Sequence, residues 1–138
     1  MQEKIIITTR DYDRLMGLLE VKGVRIDDAC GNAMGGLYHT LTKAEKMPPE
    51  NIDGIVITMN SKVLLCEVNS GRELELTITY PQDADHGDRR ISVLSPIGLA
   101  LLGRRENDVV SWKIPTGAGY FKVIKVTYQP EAEGHYFL

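Results

Sequence analysis

The stretch Ser95-Pro96-Ile97-Gly98-Leu99-Ala100-Leu101-Leu102-Gly103 constrains the fold more than any other part of the chain. Ser95 is a helix start with a mechanism, because its hydroxyl can accept a first-turn backbone N–H and proline is tolerated at the first helical position. Gly103 is the matching stop. Between them Ile97, Ala100, Leu101 and Leu102 leave a mostly apolar two-turn helix, too short to persist in water unless it packs on a sheet. The flanks supply that sheet. Ile91-Ser92-Val93 predicts a strand before the helix. After it, Val110, Trp112 and Ile114 alternate with Val109, Ser111 and Lys113, and the run from Tyr120 to Tyr128 is rich in β-branched and aromatic residues. Thr116-Gly117-Ala118-Gly119 joins these two runs as a hairpin turn.

Upstream the pattern changes twice. Ile5, Ile6 and Ile7 form an apolar stub that needs a partner later in the chain. Thr9 stands where an N-cap belongs, and Tyr12, Leu15, Met16 and Leu19 follow at helical spacing until Lys22-Gly23. A second stripe, Cys30, Ala33, Met34, Leu37, Leu41 and Ala44, predicts a helix from about Ile26 to Glu45, so the two make a short antiparallel hairpin. Pro48-Pro49 ends it and marks the domain boundary. Beyond it, Ile55 to Met59 and Lys62 to Val68 are strand-like, and Leu74, Leu76, Ile78 and Tyr80 alternate with polar residues. Pro81 to Arg89 is a polar surface loop. The predicted class is α+β, with a helical hairpin in residues 1–50 and a compact antiparallel sheet carrying one short helix in residues 51–138.

Bulk properties exclude whole classes. Apolar content of 43% and charge of 25% are those of a globular chain with a packed core. A net charge of -3 argues against a protein that grips bare nucleic acid, whose affinity scales with the cations it presents. Cys30 and Cys66 are isolated and no secretory leader precedes Ile5, so a reduced cytoplasm is the expected setting. No apolar run approaches the ~20 residues of a membrane span.

The family pattern enters through the segments already quoted. Ile91-Ser92-Val93-Leu94-Ser95-Pro96, Leu101-Leu102-Gly103, Asp108-Val109-Val110 and Pro115-Thr116-Gly117 resemble the C-terminal domain of the bacterial Gre transcript-cleavage factors. Val56-Ile57-Thr58-Met59-Asn60-Ser61-Lys62-Val63, Ala100-Leu101-Leu102-Gly103 and the tail Tyr128-Gln129-Pro130-Glu131-Ala132-Glu133-Gly134 are similar to the Rnk branch of that superfamily. The resemblance implies an FKBP-like C-terminal domain that docks on bacterial RNA polymerase beside its secondary channel. It also implies where. In Gre-like factors the S-P turn before the short helix meets the rim of the polymerase, and that turn corresponds here to Ser95, Pro96 and Ile97. The preceding position, often acidic in that class, is Leu94.

Gre factors also pass a long coiled coil through the channel, with acidic groups at its end that help hold a catalytic magnesium. Here a first helix of about 11 residues would reach only ~16 Å. The connection Lys22-Gly23-Val24-Arg25-Ile26-Asp27-Asp28 carries two carboxylates at the hairpin tip, which can equally supply charge to the first turn of the second helix.

Other candidate chemistry is weak. Asp83-x-Asp85-x-Gly87-Asp88 has its glycine one place early for a calcium loop, and Leu94 stands where a bidentate glutamate is required. His39, His86 and His135 have no metal-ligand spacing. No serine lies in a nucleophile elbow, and neither cysteine has a context that lowers its pKa. Arg89-Arg90 and Arg104-Arg105 are expected as solvated turns. The expected protein is therefore a non-enzymatic polymerase-binding regulator with no catalytic residue, metal or cofactor, which competes with longer Gre factors without stimulating cleavage. Strong direct contact with DNA or RNA outside the polymerase complex is not expected, nor is membrane binding. The rival readings are an FKBP-like prolyl isomerase and an interaction module acting through the helical hairpin.

Overall fold

The sheet is built around the strands whose sequence alternates most cleanly. The computed structural model describes residues 5–21, 33–85, 87–114 and 117–135. Its elements run β1 (Ile6–Thr8), α1 (Thr9–Val21), α2 (Ala33–Lys43), β2 (Glu45–Met47), β3 (Lys62–Glu67), β4 (Glu73–Thr79), β5 (Arg90–Ser92), α3 (Pro96–Leu101), β6 (Val109–Ile114) and β7 (Gly117–Tyr128), with single 3-10 turns at Pro49–Asn51 and Pro81–Asp83. Strands β3 to β7 form one sheet in the order β5-β4-β3-β7-β6. The pairs β3–β4, β3–β7 and β6–β7 are antiparallel. Two register shifts between β3 and β7 each leave an extra β7 residue, which bends and twists the sheet locally.

Alternation becomes a dry face and a wet face. Val63 and Leu65 of β3, Leu76 and Ile78 of β4, and Phe121 and Val123 of β7 are buried in the same cluster as Leu101 and Leu102 beside α3. Each fully buried aliphatic side chain contributes about 1.5–3 kcal/mol. Leu15 and Leu19 of α1 and Leu37 and Leu41 of α2 belong to this cluster too, so the described parts of both helices pack into the core of the sheet. Trp112 stacks on Phe121 with ring centroids 4.0 Å apart and planes 6° from parallel.

Five expectations change. Gly117, Ala118 and Gly119, expected in the hairpin turn, belong to β7 and pair with Ile114, Lys113 and Trp112, since glycine weakens a ladder without forbidding it. The expected all-antiparallel sheet has one parallel pair, β4 with β5, because residues 80–89 cross over instead of turning tightly back. The second helix ends at Lys43, and Glu45–Met47 is a strand that pairs in parallel with β1. That strand is the partner the Ile5-Ile6-Ile7 stub required. Residues 55–59 are no strand: Val56, Ile57, Thr58 and Met59 are all buried, and apart from a lone bridge from Val56 to Arg105 their backbone groups bond to turns and to side chains. A segment dry on every side loses the alternation that a half-exposed strand shows. Finally, the cap of α1 is Thr8, not Thr9, for its hydroxyl accepts from the Asp11 N–H at 2.9 Å.

Candidate functional site

Helix α3 is held by a turn whose side-chain hydroxyls are satisfied within itself, while the Val93 N–H donates to the Thr79 carbonyl of β4 at 2.9 Å. The Ser95 hydroxyl accepts from the Gly98 N–H at 3.0 Å and donates to the Ser92 carbonyl at 2.7 Å. The Ser92 hydroxyl in turn accepts from the Leu94 N–H at 3.0 Å. Two glycines are demanded by the packing. A Cβ on Gly98 would strike the Ser92 carbonyl oxygen and lie 2.8 Å from Val93 Cα, while Gly103 has φ +81° and its extra carbon would run into Ile5. Gly103 also ties α3 to two distant segments, donating to the Ile57 carbonyl at 2.9 Å and accepting from the Ile6 N–H at 3.2 Å.

This arrangement divides the three residues that the sequence singled out. Pro96 is exposed, Ile97 is half-buried against the core, and the single proton of Ser95 is committed inside the turn. Leu94 also packs against the core. Ser95 therefore shapes the turn, and Pro96 is its outward face. Asp27 and Asp28 lie outside the described residues, as do Cys30 and His86.

A second polar constellation was not foreseen. Asp11, in the first turn of α1, is only 2% exposed and its carboxylate accepts from the Met59 N–H at 3.1 Å, 48 residues away. Burial pushes its pKa up from 3.8 to about 7; Glu131 adds to the rise, while the Met59 and Thr8 hydrogen bonds and the Arg14 charge oppose it. Beside it the Thr58 hydroxyl donates to Glu131 Oε1 at 2.7 Å. The Ser61 hydroxyl, 2.8 Å from that of Thr58, must then donate to it, and it accepts from the Thr58 N–H at 2.9 Å. Gln129 spends both amide hydrogens on the carbonyls of Asp53 and Val56, at 2.8 and 2.7 Å. The 56–63 segment and the 128–134 tail thus form one bracket, to which Asp11 fastens the root of α1. Thr58, Ser61, Gln129 and Glu131 lie in segments the sequence had marked. Asp11 gave no signal, since an acidic residue in a first helical turn is ordinarily a solvated partner of the helix dipole.

Other marked residues go to plain structural uses. Asp85 Oδ1 accepts from the Gly87 N–H at 2.9 Å, closing the turn that leads into β5. His39 is exposed on α2, and His135 Nδ1 lies 2.7 Å from the Tyr128 hydroxyl. Cys66 is a half-buried free thiol in β3. Among the described residues no three His, Cys, Asp or Glu side chains converge as metal ligands, and no helix is long and apolar enough to cross a membrane.

Comparison with known proteins matches this architecture. Residues 53–128 fit the family model described as transcription elongation factor, GreA/GreB, C-terminal. The chain is 36% identical to the regulator of nucleoside diphosphate kinase of Escherichia coli, over 97% of this chain and 96% of that protein. It is 37% identical over 90 residues to the transcription elongation factor GreA of Syntrophomonas wolfei, covering 65% of this chain and 57% of that one. Among solved structures, a GreA/GreB transcription elongation factor from Nitrosomonas europaea superposes with a TM-score of 0.73 at 36% identity, covering 92% of this chain and all of that one. With its α3 turn and all five strands of its sheet inside the matched region, the chain belongs to the GreA/GreB C-terminal family of transcription elongation factors.

Proposed function

We propose that the chain is a non-enzymatic regulator that docks on bacterial RNA polymerase at the rim of the secondary channel. It competes there with longer Gre factors by occlusion and does not stimulate transcript cleavage. Residues 51–138 act as the docking body, an FKBP-like half-barrel, and residues 1–50 as a short helical arm. The contact is the Ser95-Pro96-Ile97 turn. The observation that carries this reading is the division of labour in that turn: its hydrogen bonds are closed internally, so it presents a fixed apolar edge at Pro96 at little entropic cost to binding.

Absence of cleavage follows from reach. Helix α1 has 13 residues, which at ~1.5 Å each rise only ~20 Å, and with Leu15 and Leu19 packed in the core even less of that length can project. On this reading the hairpin-tip residues Asp27 and Asp28 stop short of the polymerase magnesium. Contact with DNA or RNA arises only inside the polymerase complex, and the protein works in the cytoplasm. The test is binding of the Pro96→Asp variant to core polymerase. About a tenfold or greater loss of affinity with an unchanged fold is expected; unchanged affinity removes the site assignment.

A further inference from the structure

On an acidic chain, one groove gathers positive charge. It has a volume of about 860 Å³ and is lined by Arg14, Lys62 and Arg90 against a single carboxylate, Asp83, with the rings of Tyr80 and Tyr128 in its wall. The sheet register explains the gathering. Thr77 of β4 stands opposite Lys62 of β3 on one side and Arg90 of β5 on the other, and Lys62 stands opposite Tyr128 of β7. Arg90, Thr77, Lys62 and Tyr128 therefore form one row across four adjacent strands. With strands ~4.8 Å apart, the two cations flank the Thr77 hydroxyl at a backbone separation of ~10 Å.

We propose that this groove binds a small phosphorylated aromatic ligand of the mononucleotide class, its phosphates between Arg90 and Lys62 and its ring against Tyr128. The size lies within the ~300–1,000 Å³ of small-molecule sites. Lys62 has a neighbour in Glu75, 3.5 Å away, but both side chains are well exposed, and such a pair is worth too little to hold the ammonium from a phosphate. Tyr80 adds no competing negative charge. Burial, with Asp11 nearby, pushes its phenol up to about 12, so it remains a neutral hydroxyl. A row of two cations around a hydroxyl suits phosphate oxygens, while the aromatic wall distinguishes a nucleotide from a bare polyanion. The site is separate from the α3 turn, so its failure would leave the polymerase reading untouched.

The test is a titration of the isotope-labelled full chain with ADP, followed by amide NMR shifts, with inorganic pyrophosphate, adenosine and an oligo-aspartate peptide as the other probes. ADP is expected to move the amides of Gly17, Asn60 and Thr77 and to bind more tightly than the other three. Arg90→Gln and Lys62→Gln are each expected to weaken it about tenfold, the scale of one charge-assisted hydrogen bond. Should either variant fail to fold, Leu18→Trp, which fills the groove from α1, supplies the same loss. Unmoved groove amides at millimolar ADP overturn the proposal. So do pyrophosphate or the peptide binding as well as ADP, or variants that bind like the unaltered chain.

Discussion

Two helix starts in this molecule solve the same problem in opposite ways. At α3 the capping residue, the first-turn N–H and the carbonyl that receives the cap's own proton lie within residues 92–98. At α1 the cap Thr8 is equally local, but the acidic residue of the first turn turns away from its own helix and reaches Met59. One start is closed on itself and contains no charge. The other buries a carboxylate to join segments far apart in sequence. A self-contained turn stays rigid on the surface and can be offered to a partner; a long-range anchor fixes the root of α1 against the 56–63 segment.

The largest expected contrast is in pH dependence. A carboxyl whose folded pKa is raised from 3.8 to about 7 holds its proton more tightly in the folded chain. Folding therefore takes up a proton between those values, and stability falls as pH rises through the window. The penalty is complete above pH 7 and absent below 3.8. Its size is on the order of a few kcal/mol. Denaturant melts from pH 4 to 8 check this, with Asp11→Asn expected to flatten the Asp11 part of the slope, because an amide does not titrate while its oxygen can still accept from Met59. An identical slope in the variant would show that the two starts do not differ as described.

The next effect belongs to α3. Gly98→Ala pushes a methyl into the Ser92–Val93 backbone, which cannot move without opening the turn. A loss of stability of about 1–3 kcal/mol is expected, and it should be the same at pH 5 and pH 8. Ser95→Ala is smaller, about 1 kcal/mol, again without pH dependence. Comparing its melt with Thr8→Ala sharpens the contrast, since removing the Thr8 hydroxyl also takes away a hydrogen bond that steadies the charged form of Asp11. Thr8→Ala should therefore cost more at pH 8 than at pH 5.

The same contrast explains what the sequence disclosed. Ser95, Pro96 and Gly103 announce α3 because the cap, the first-turn proline and the positive-φ glycine are set by local geometry, whereas the bonds of Gly103 to Ile57 and Ile6 leave no local sign. Strand β6 is legible by alternation, since one face is wet, and β7 by its β-branched and aromatic residues from Tyr120 to Tyr128. Residues 55–59 look like a strand because burial on all sides at 56–59 erases the period, and an apolar run then resembles one. The pairing of β1 with β2 was invisible for a different reason: three-residue strands carry too little pattern, and Glu45 and Lys46, both exposed, look like the end of a helix. Asp11 was hidden because its identity suits a solvated first turn as well as a buried one. The groove was hidden too, for Arg14, Lys62 and Arg90 meet only through the register of the sheet and the placement of α1.

The central claim is that a preformed turn grips the polymerase while the arm beside it is too short to deliver acid groups. The most direct measurement is cleavage of backtracked RNA by core polymerase with a Gre factor present and this protein added in increasing amounts. The account predicts that cleavage falls as the Gre factor is displaced, and that this protein alone gives none above background. Cleavage that rises with the protein alone, or Gre activity that persists while this protein is bound to the same polymerase, would contradict it.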